Sequence, residues 1–269
     1  MRQLGFCSIS ALDRPLAAAA AVAASVGLDA LEVTDRPPHV APDASLESLR
    51  AAGRAVREAG VEVVCYGSYL GREGPRTADH ARREVARAEA LGAPLLRVWA
   101  EPVAGAPDGG FAETVALLRS ACEVAGERGI GVVVERHVGS FADTPERIAR
   151  LFAAVARPAL ALNYQVLDLL PPEAAPAQAD DARRLVPRAR YFHLKNYRPN
   201  PQAGGPLLPG GSLAGGVLDY RAILGAALAA GYAGPLTIEF LSWDPAPLEE
   251  KLAADTAFVR AALAELERP

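Results

Sequence analysis

The chain has 269 residues, 51% of them apolar and 22% charged, with a formal net charge of −4. That balance describes a soluble globular protein with room for one large core. An acidic chain with a pI near 5.7 excludes a nucleic-acid protein built on a basic surface. Alanine is about a fifth of the sequence, and all but two of the 28 basic residues are arginine. A lone Arg therefore carries little information here, whereas Lys195, Lys251 and the four histidines carry more.

Short β-branched or apolar runs alternate along the chain with longer stretches of helical period. The predicted strands are Gln3–Ile9, Ala30–Thr34, Val61–Gly67, Leu95–Ala100, Gly131–His137, Ala159–Asn163, Tyr191–Lys195 and Leu236–Leu241. The predicted helices are Leu16–Ser25, Ser45–Ala59, Thr77–Leu91, Phe111–Arg128, Thr144–Ala156, Ala179–Val186, Tyr220–Ala230 and Pro247–Leu266. Gly27, Gly60, Gly92, Gly129 and Gly231 each fall just past a helical pattern, where a left-handed residue is wanted. Thr144-Pro145-Glu146 reads as an N-cap followed by proline at the first helical position.

Strict β–α alternation implies a parallel sheet, and eight units of this size match a single closed (β/α)8 barrel, an α/β fold, spanning residues 1–269. An open doubly wound sheet is the alternative. It lacks support, because no glycine-rich phosphate motif follows a strand; "GGPLLPGGSLAGG" opens no strand–turn–helix unit. Pro199–Val217 has no periodicity, and in a barrel it lies after a strand on the catalytic face, so it is expected to act as a lid. Three cysteines at long spacings, with no CxxC, suit buried thiols in a reducing cytoplasm. Ala17–Val26, the one apolar run resembling a targeting segment, is too short to span a bilayer and reads as helix interior, so no membrane partner is expected.

A barrel builds its active site at the C-terminal strand ends. The polar residues there are Glu32, Arg97 with Trp99 and Glu101, Glu135 with His137, Asn163 with Gln165, His193 with Lys195, and Glu239. The two-residue period of a strand places Glu135 with His137, and His193 with Lys195, on inward faces. Two carboxylates, an imidazole and an amide form an oxygen-rich donor set suited to Mn²⁺ or Mg²⁺. Glu32 and Arg97 read as an internal salt bridge low in the barrel. His39 and His80 read as solvated.

The motifs "GLDALEVT", "VVVERH", "ALNYQVLD", "YFHLKNYR" and "GYAGPLTIEF", in this order and spacing, resemble the xylose-isomerase-like TIM-barrel superfamily, also called the sugar phosphate isomerase/epimerase family. The resemblance covers nearly the whole chain. It implies metal ligands from the fifth to eighth strands: Glu135, a sixth-strand residue, His193 and Glu239. Relatives carry Asp at the sixth-strand position, with His three residues on; here Gln165 and Asp168 stand there, with Asn163 as a substitute ligand. The implied activity is a metal-dependent isomerisation or epimerisation of a small sugar or keto-polyol through an enediolate, with Glu135 and Glu239 as acid and base. His137, Asp168, Lys195 and Arg198 are expected to contact substrate hydroxyls or a carboxylate, and Trp99 and Tyr66 to wall it. The alternatives are a dehydratase of inosose or dehydroshikimate type on the same site, or a metal-free relative. A repair endonuclease on this barrel needs a histidine-rich three-metal cluster that four histidines do not readily supply. Pairing into a homodimer through loops on the catalytic face is a further expectation of the resemblance.

Overall fold

The computed structural model describes residues 2–239 and 246–267. In chain order its strands are β1 (Leu4–Cys7), β2 (Ala30–Thr34), β3 (Glu62–Gly67), β4 (Leu95–Val98), β5 (Gly131–Glu135), β6 (Leu160–Tyr164), β7 (Ala189–Leu194), β8 (Asn196–Arg198), β9 (Leu208–Gly211) and β10 (Leu236–Ile238). All but β8 and β9 run parallel and close into a barrel in the order β1-β10-β7-β6-β5-β4-β3-β2. β10 pairs with β7 on one side and β1 on the other, so no barrel edge is left open. The fold is therefore a single (β/α)8 barrel. Residues 240 and 241 of the predicted eighth strand lie outside the described residues.

The helices are α1 (Leu16–Ser25), α2 (Leu46–Glu58), α3 (Ala78–Leu91), α4 (Phe111–Gly126), α5 (Pro145–Val155), α6 (Gln178–Leu185), α7 (Tyr220–Ala229) and α8 (Leu248–Leu266). Their starts follow side-chain chemistry. Ser45, Thr77, Thr144 and Asp219 each accept a hydrogen bond from the backbone N–H three residues on, which satisfies a donor the helix cannot. Their ends follow backbone chemistry: Gly92 caps α3 at φ 78°, a left-handed conformation costly to a residue with a Cβ. No helix among the described residues is long and apolar enough to cross a membrane.

The main core lies between the barrel and its helices. Leu31, Val33, Val132, Val134, Leu162, Phe192 and Leu194 all face outward into it. A second, smaller cluster fills the barrel itself: Ala30, Val64, Cys65, Val133, Ala161 and Tyr191, with Leu95 against it. Two residues further along the same strands stand Glu32, Arg97, Glu135, Asn163 and His193. The apolar cluster is thus a floor on which a charged layer rests. Register shifts occur at Leu31/Glu32 and at Leu162/Asn163, both beside residues of that layer. Such bulges re-aim side chains next to sites.

Pro199–Val217 holds more order than its lack of periodicity suggests. β8 and β9 make an antiparallel pair, with Arg198 opposite Leu208 and Tyr197 opposite Pro209. Buried Asn196 pins it: its Nδ2 donates to the Leu213 and Leu218 carbonyls at 3.2 and 3.0 Å, and its Oδ1 accepts from the Tyr197 and Leu218 amides. Leu213 N–H also donates to Asp255 at 2.8 Å. A side-chain amide supplies the order that Pro and Gly do not, and periodicity carries no trace of it.

Candidate active site

Arg97 organises the charged layer. Its Nε lies 2.9 Å from Glu32 Oε1, and its Nη1 bonds Glu135 Oε2. The expected Glu32–Arg97 pair is therefore present, but it does not sit apart from the site: the same guanidinium holds Glu135. Gly67 makes room for it. A Cβ there would stand 2.4 Å from Glu32 Oε1 and 2.7 Å from Arg97 Nη2.

Glu32 next engages His193, whose Nε2 lies 2.5 Å from Glu32 Oε2. Tyr191 O–H donates to the same oxygen at 2.9 Å, and Thr237 O–H donates in turn to Tyr191 at 2.8 Å. Burial alone would raise the Glu32 carboxyl; the charges of His193 and Arg97 outweigh it and bring it down to about 2. Burial would likewise lower His193, but Glu32 and Glu239 push it above its ordinary value. With Nε2 committed to Glu32, His193 turns Nδ1 toward Glu239 Oε2 at 3.5 Å and Asn163 Nδ2 at 3.2 Å. A carboxylate that fixes one imidazole nitrogen and aims the other is the arrangement found behind metal-ligating histidines.

Lys195 closes the layer. Its ammonium lies 3.1 Å from Asp168 Oδ2 and 3.5 Å from Glu239 Oε2, while Tyr197 O–H donates to Asp168 Oδ1 at 3.0 Å. Burial opposes its charge, yet Glu239 and Asp168 raise its pKa, so Lys195 stays protonated.

The donor set fits a divalent cation. Ligating atoms of Glu135, His193 and Glu239 all lie within 4.8 Å of one another. Four carboxylates (Glu32, Glu135, Asp168 and Glu239) face two permanent cations, Arg97 and Lys195, which leaves negative charge for a dication to balance. Asn163 Oδ1 is buried with no hydrogen-bond partner, an oxygen still open beside His193. Gln165 Oε1 is likewise buried with no hydrogen-bond partner. Its Nε2 donates to Glu135 Oε1 at 2.9 Å and to the Arg136 carbonyl at 2.7 Å. Two acceptors fix the amide, so Gln165 shows Glu135 its NH₂ rather than its oxygen.

Above this layer opens a cavity of about 330 Å³. Of the residues singled out from sequence, Glu135, Glu239, Asp168, Lys195, His137 and Trp99 line it. His137 Nδ1 is 3.2 Å from Glu101 Oε1, and its ring meets Trp99 edge-on at 5.1 Å. Tyr66 is elsewhere: it is buried on the helix side of β3, its O–H donating to Glu84 at 3.0 Å. Arg198 is exposed on β8 and does not line the cavity. Ile9, Arg36, Tyr69, Arg72 and Glu73 line it without having been singled out. They sit on loops after β1, β2 and β3, where neither period applies.

The two other histidines also differ from expectation. His39 is buried, with Nδ1 3.0 Å from Ser8 Oγ and Nε2 3.1 Å from both the Ala11 and Arg14 carbonyls. Those acceptors require Nε2–H, and burial lowers the pKa of the ring, which ties two loops together as a strut. His80 lies with Nδ1 2.8 Å from the Pro75 carbonyl and Nε2 3.5 Å from Glu84.

A closed parallel barrel carrying buried acids, an imidazole and an open donor at its C-terminal strand ends defines a class of barrel proteins. The chain belongs to the Xylose isomerase-like TIM barrel family, whose description it matches over residues 20–262. Among solved structures, a Xylose isomerase-like TIM barrel protein from Mycobacterium smegmatis, in complex with magnesium, has a TM-score of 0.77 at 16% identity, covering 100% of this chain and 98% of its own. The probable 3-DHS dehydratase AsbF from Bacillus anthracis has a TM-score of 0.72 at 18% identity, with 97% and 99% covered. A structure of L-ribulose 3-epimerase has a TM-score of 0.73 at 16% identity, with 100% and 96% covered. No curated protein matches the sequence. At these identities the likeness establishes the fold.

Proposed function

We propose that the protein is an isomerase or epimerase of a small hydroxy-carbonyl compound, a sugar or keto-polyol, working through an enediolate. The observation that carries this reading is the convergence of Glu135, His193 and Glu239, their ligating atoms within 4.8 Å of one another, with both glutamates lining a cavity sized for a small sugar and His193 buried behind them. A divalent ion, Mn²⁺ or Mg²⁺, held by these three with Asn163 alongside, would polarise the substrate carbonyl and stabilise the negative charge that follows proton removal.

The roles of the side chains differ with their surroundings. Both oxygens of Glu135 accept from firm donors, Gln165 on one and Arg97 on the other. Among the described residues, the Glu239 carboxylate meets only longer contacts, at 3.5 Å, from His193 and Lys195. Glu239 is therefore the freer base to take the proton next to the carbonyl, and Glu135 is the held partner on the opposing strand. Lys195, protonated, donates to a substrate oxygen and does not act as a base. Trp99 gives the carbon skeleton a flat wall, and His137 faces a hydroxyl. Three buried, unpaired cysteines fit work in the reducing cytoplasm.

The test is proton exchange. Candidate ketoses incubated in D₂O with the protein and Mn²⁺ are expected to take up deuterium at the carbon beside the carbonyl, followed by NMR, without change of composition. A product lighter by one water would instead identify a dehydratase on the same site, a reading to which the likeness to a probable dehydratase lends weight. No exchange on any ketose, with or without Mn²⁺, would overturn both.

A further inference from the structure

The acid–base reading uses the β5–β10 side of the cavity and leaves its other side unexplained. There the wall is a platform of two rings. Trp99 is fixed by its Nε1–H, which donates to the Ser68 carbonyl at 3.0 Å, and Tyr69 stacks beside it at 6.0 Å and 17°. A guanidinium lies over each ring: Arg36 Cζ is 3.3 Å from the Tyr69 centroid, and Arg72 Cζ is 4.4 Å from the Trp99 centroid. Stacking holds both flat before any ligand arrives.

Their donors are not equally engaged. Arg36 bonds Glu73 Oε1 at 2.5 Å and the Asp35 carbonyl at 3.3 Å. Arg72 makes no side-chain hydrogen bond among the described residues. Its nearest anion is Glu101, whose Oε1 lies 3.6 Å from Nη1, an ion pair beyond hydrogen-bond reach, with His137 Nδ1 3.2 Å from the same oxygen. Arg72 is thus an oriented fork of unused N–H donors lining the cavity. Arg97, the anchor of Glu135, lies against the same indole, its Cζ 5.1 Å from the Trp99 centroid. One aromatic ring therefore separates Arg97 from the open guanidinium, and both line the same cavity as Glu135 and Glu239.

The geometry points to an anion subsite at Arg72, which makes the substrate an acidic sugar derivative: its carboxylate or phosphate sits on the Arg72 fork, remote from the carbon that exchanges its proton. A planar fork suits either oxyanion, by bidentate hydrogen bonding that a neutral hydroxyl does not match. This inference rests on the acid–base reading for which end of the molecule reacts, but not for its binding test.

The test compares binding within matched pairs, D-ribulose with D-ribulose 5-phosphate and L-sorbose with 5-keto-D-gluconate, by calorimetry and by Trp fluorescence at low salt. The phosphate or the carboxylate compound is expected to bind about tenfold or more tightly than its neutral counterpart. Arg72→Met should collapse that ratio towards one, and Arg72→Lys should keep only part of it. Preference for phosphate alone or carboxylate alone assigns the group and supports the subsite. Equal affinity within both pairs, or an equal loss for neutral and charged compounds in Arg72→Met, overturns it. Repeating the measurement in Glu239→Gln separates the two readings, because binding preference needs no turnover. If the preference fails while exchange proceeds in the wild type, the acid–base reading stands alone.

Discussion

The two halves of the barrel mouth solve the problem of holding charge in different ways. At the strand ends, with Arg97 and Glu32 at their centre, the charges are buried and interlocked: Glu135, His193 and Lys195 are each under 10% exposed, and each touches an opposite charge. On the loops after β2 and β3 Arg36 and Arg72 stay a third or more exposed at their side chains and rest on ring faces. Buried ions tolerate no missing partner, whereas stacked surface ions lose little when one is removed. The first half is therefore rigid and suited to chemistry, and the second is tolerant and suited to choosing among substrates.

The sharpest way to break this contrast is to neutralise one charge on each side. Glu239→Gln should lower exchange by roughly 10²–10⁴-fold, a base-removal effect, while circular dichroism stays unchanged. Arg97→Met, which strands Glu32 and Glu135, should cost about 3–5 kcal/mol in urea unfolding. Arg36→Gln, its counterpart on the tolerant side, should cost no more than about 1 kcal/mol by the same measurement. If the two arginines proved equally costly, the contrast between the halves would be wrong. Gly67→Ala probes the seam between them. The added methyl meets Glu32 and Arg97, and overpacking of this kind costs about 1–3 kcal/mol.

The smallest effect is a pH dependence at His39. Burial lowers its pKa below the ordinary histidine value of 6.5, so its neutral form is the stabilising one. The unfolded chain takes up the proton more readily. This contribution is full above about pH 6.5 and is lost as pH falls towards the lowered value. The melting temperature should dip between pH 7 and pH 5, and the dip should shrink in His39→Gln. His80, raised by its bond to Glu84, works in the opposite sense: its stabilisation is present below 6.5 and fades as pH rises through the raised value.

Much of the barrel is legible in the sequence because its signals are local. Two-residue alternation sets Glu135 with His137 and His193 with Lys195 on inward faces, and Gly92 or Thr144 marks where helices end or begin. Tyr66, expected from the resemblance to wall the substrate, falls instead on the helix side of β3. What sequence does not display are encounters between distant segments. Arg97 joins Glu32 to Glu135 across three strands, and Asn196 folds a Pro/Gly-rich stretch into a hairpin through side-chain bonds. His39 reaches back to Ser8 and Ala11, which no periodicity announces. Arg72 is hidden for another reason: in an arginine-rich chain its meaning comes only from the ring beneath it and the cavity it lines.

The apolar floor has a kinetic meaning. Ala30, Val133, Ala161 and Tyr191 seal the barrel below the charged layer, so the cavity is a cul-de-sac with one doorway. Reactant and product must queue for the same opening and rest on the same wall. Accumulating product should then inhibit purely by competition, raising the apparent KM while the maximal velocity holds.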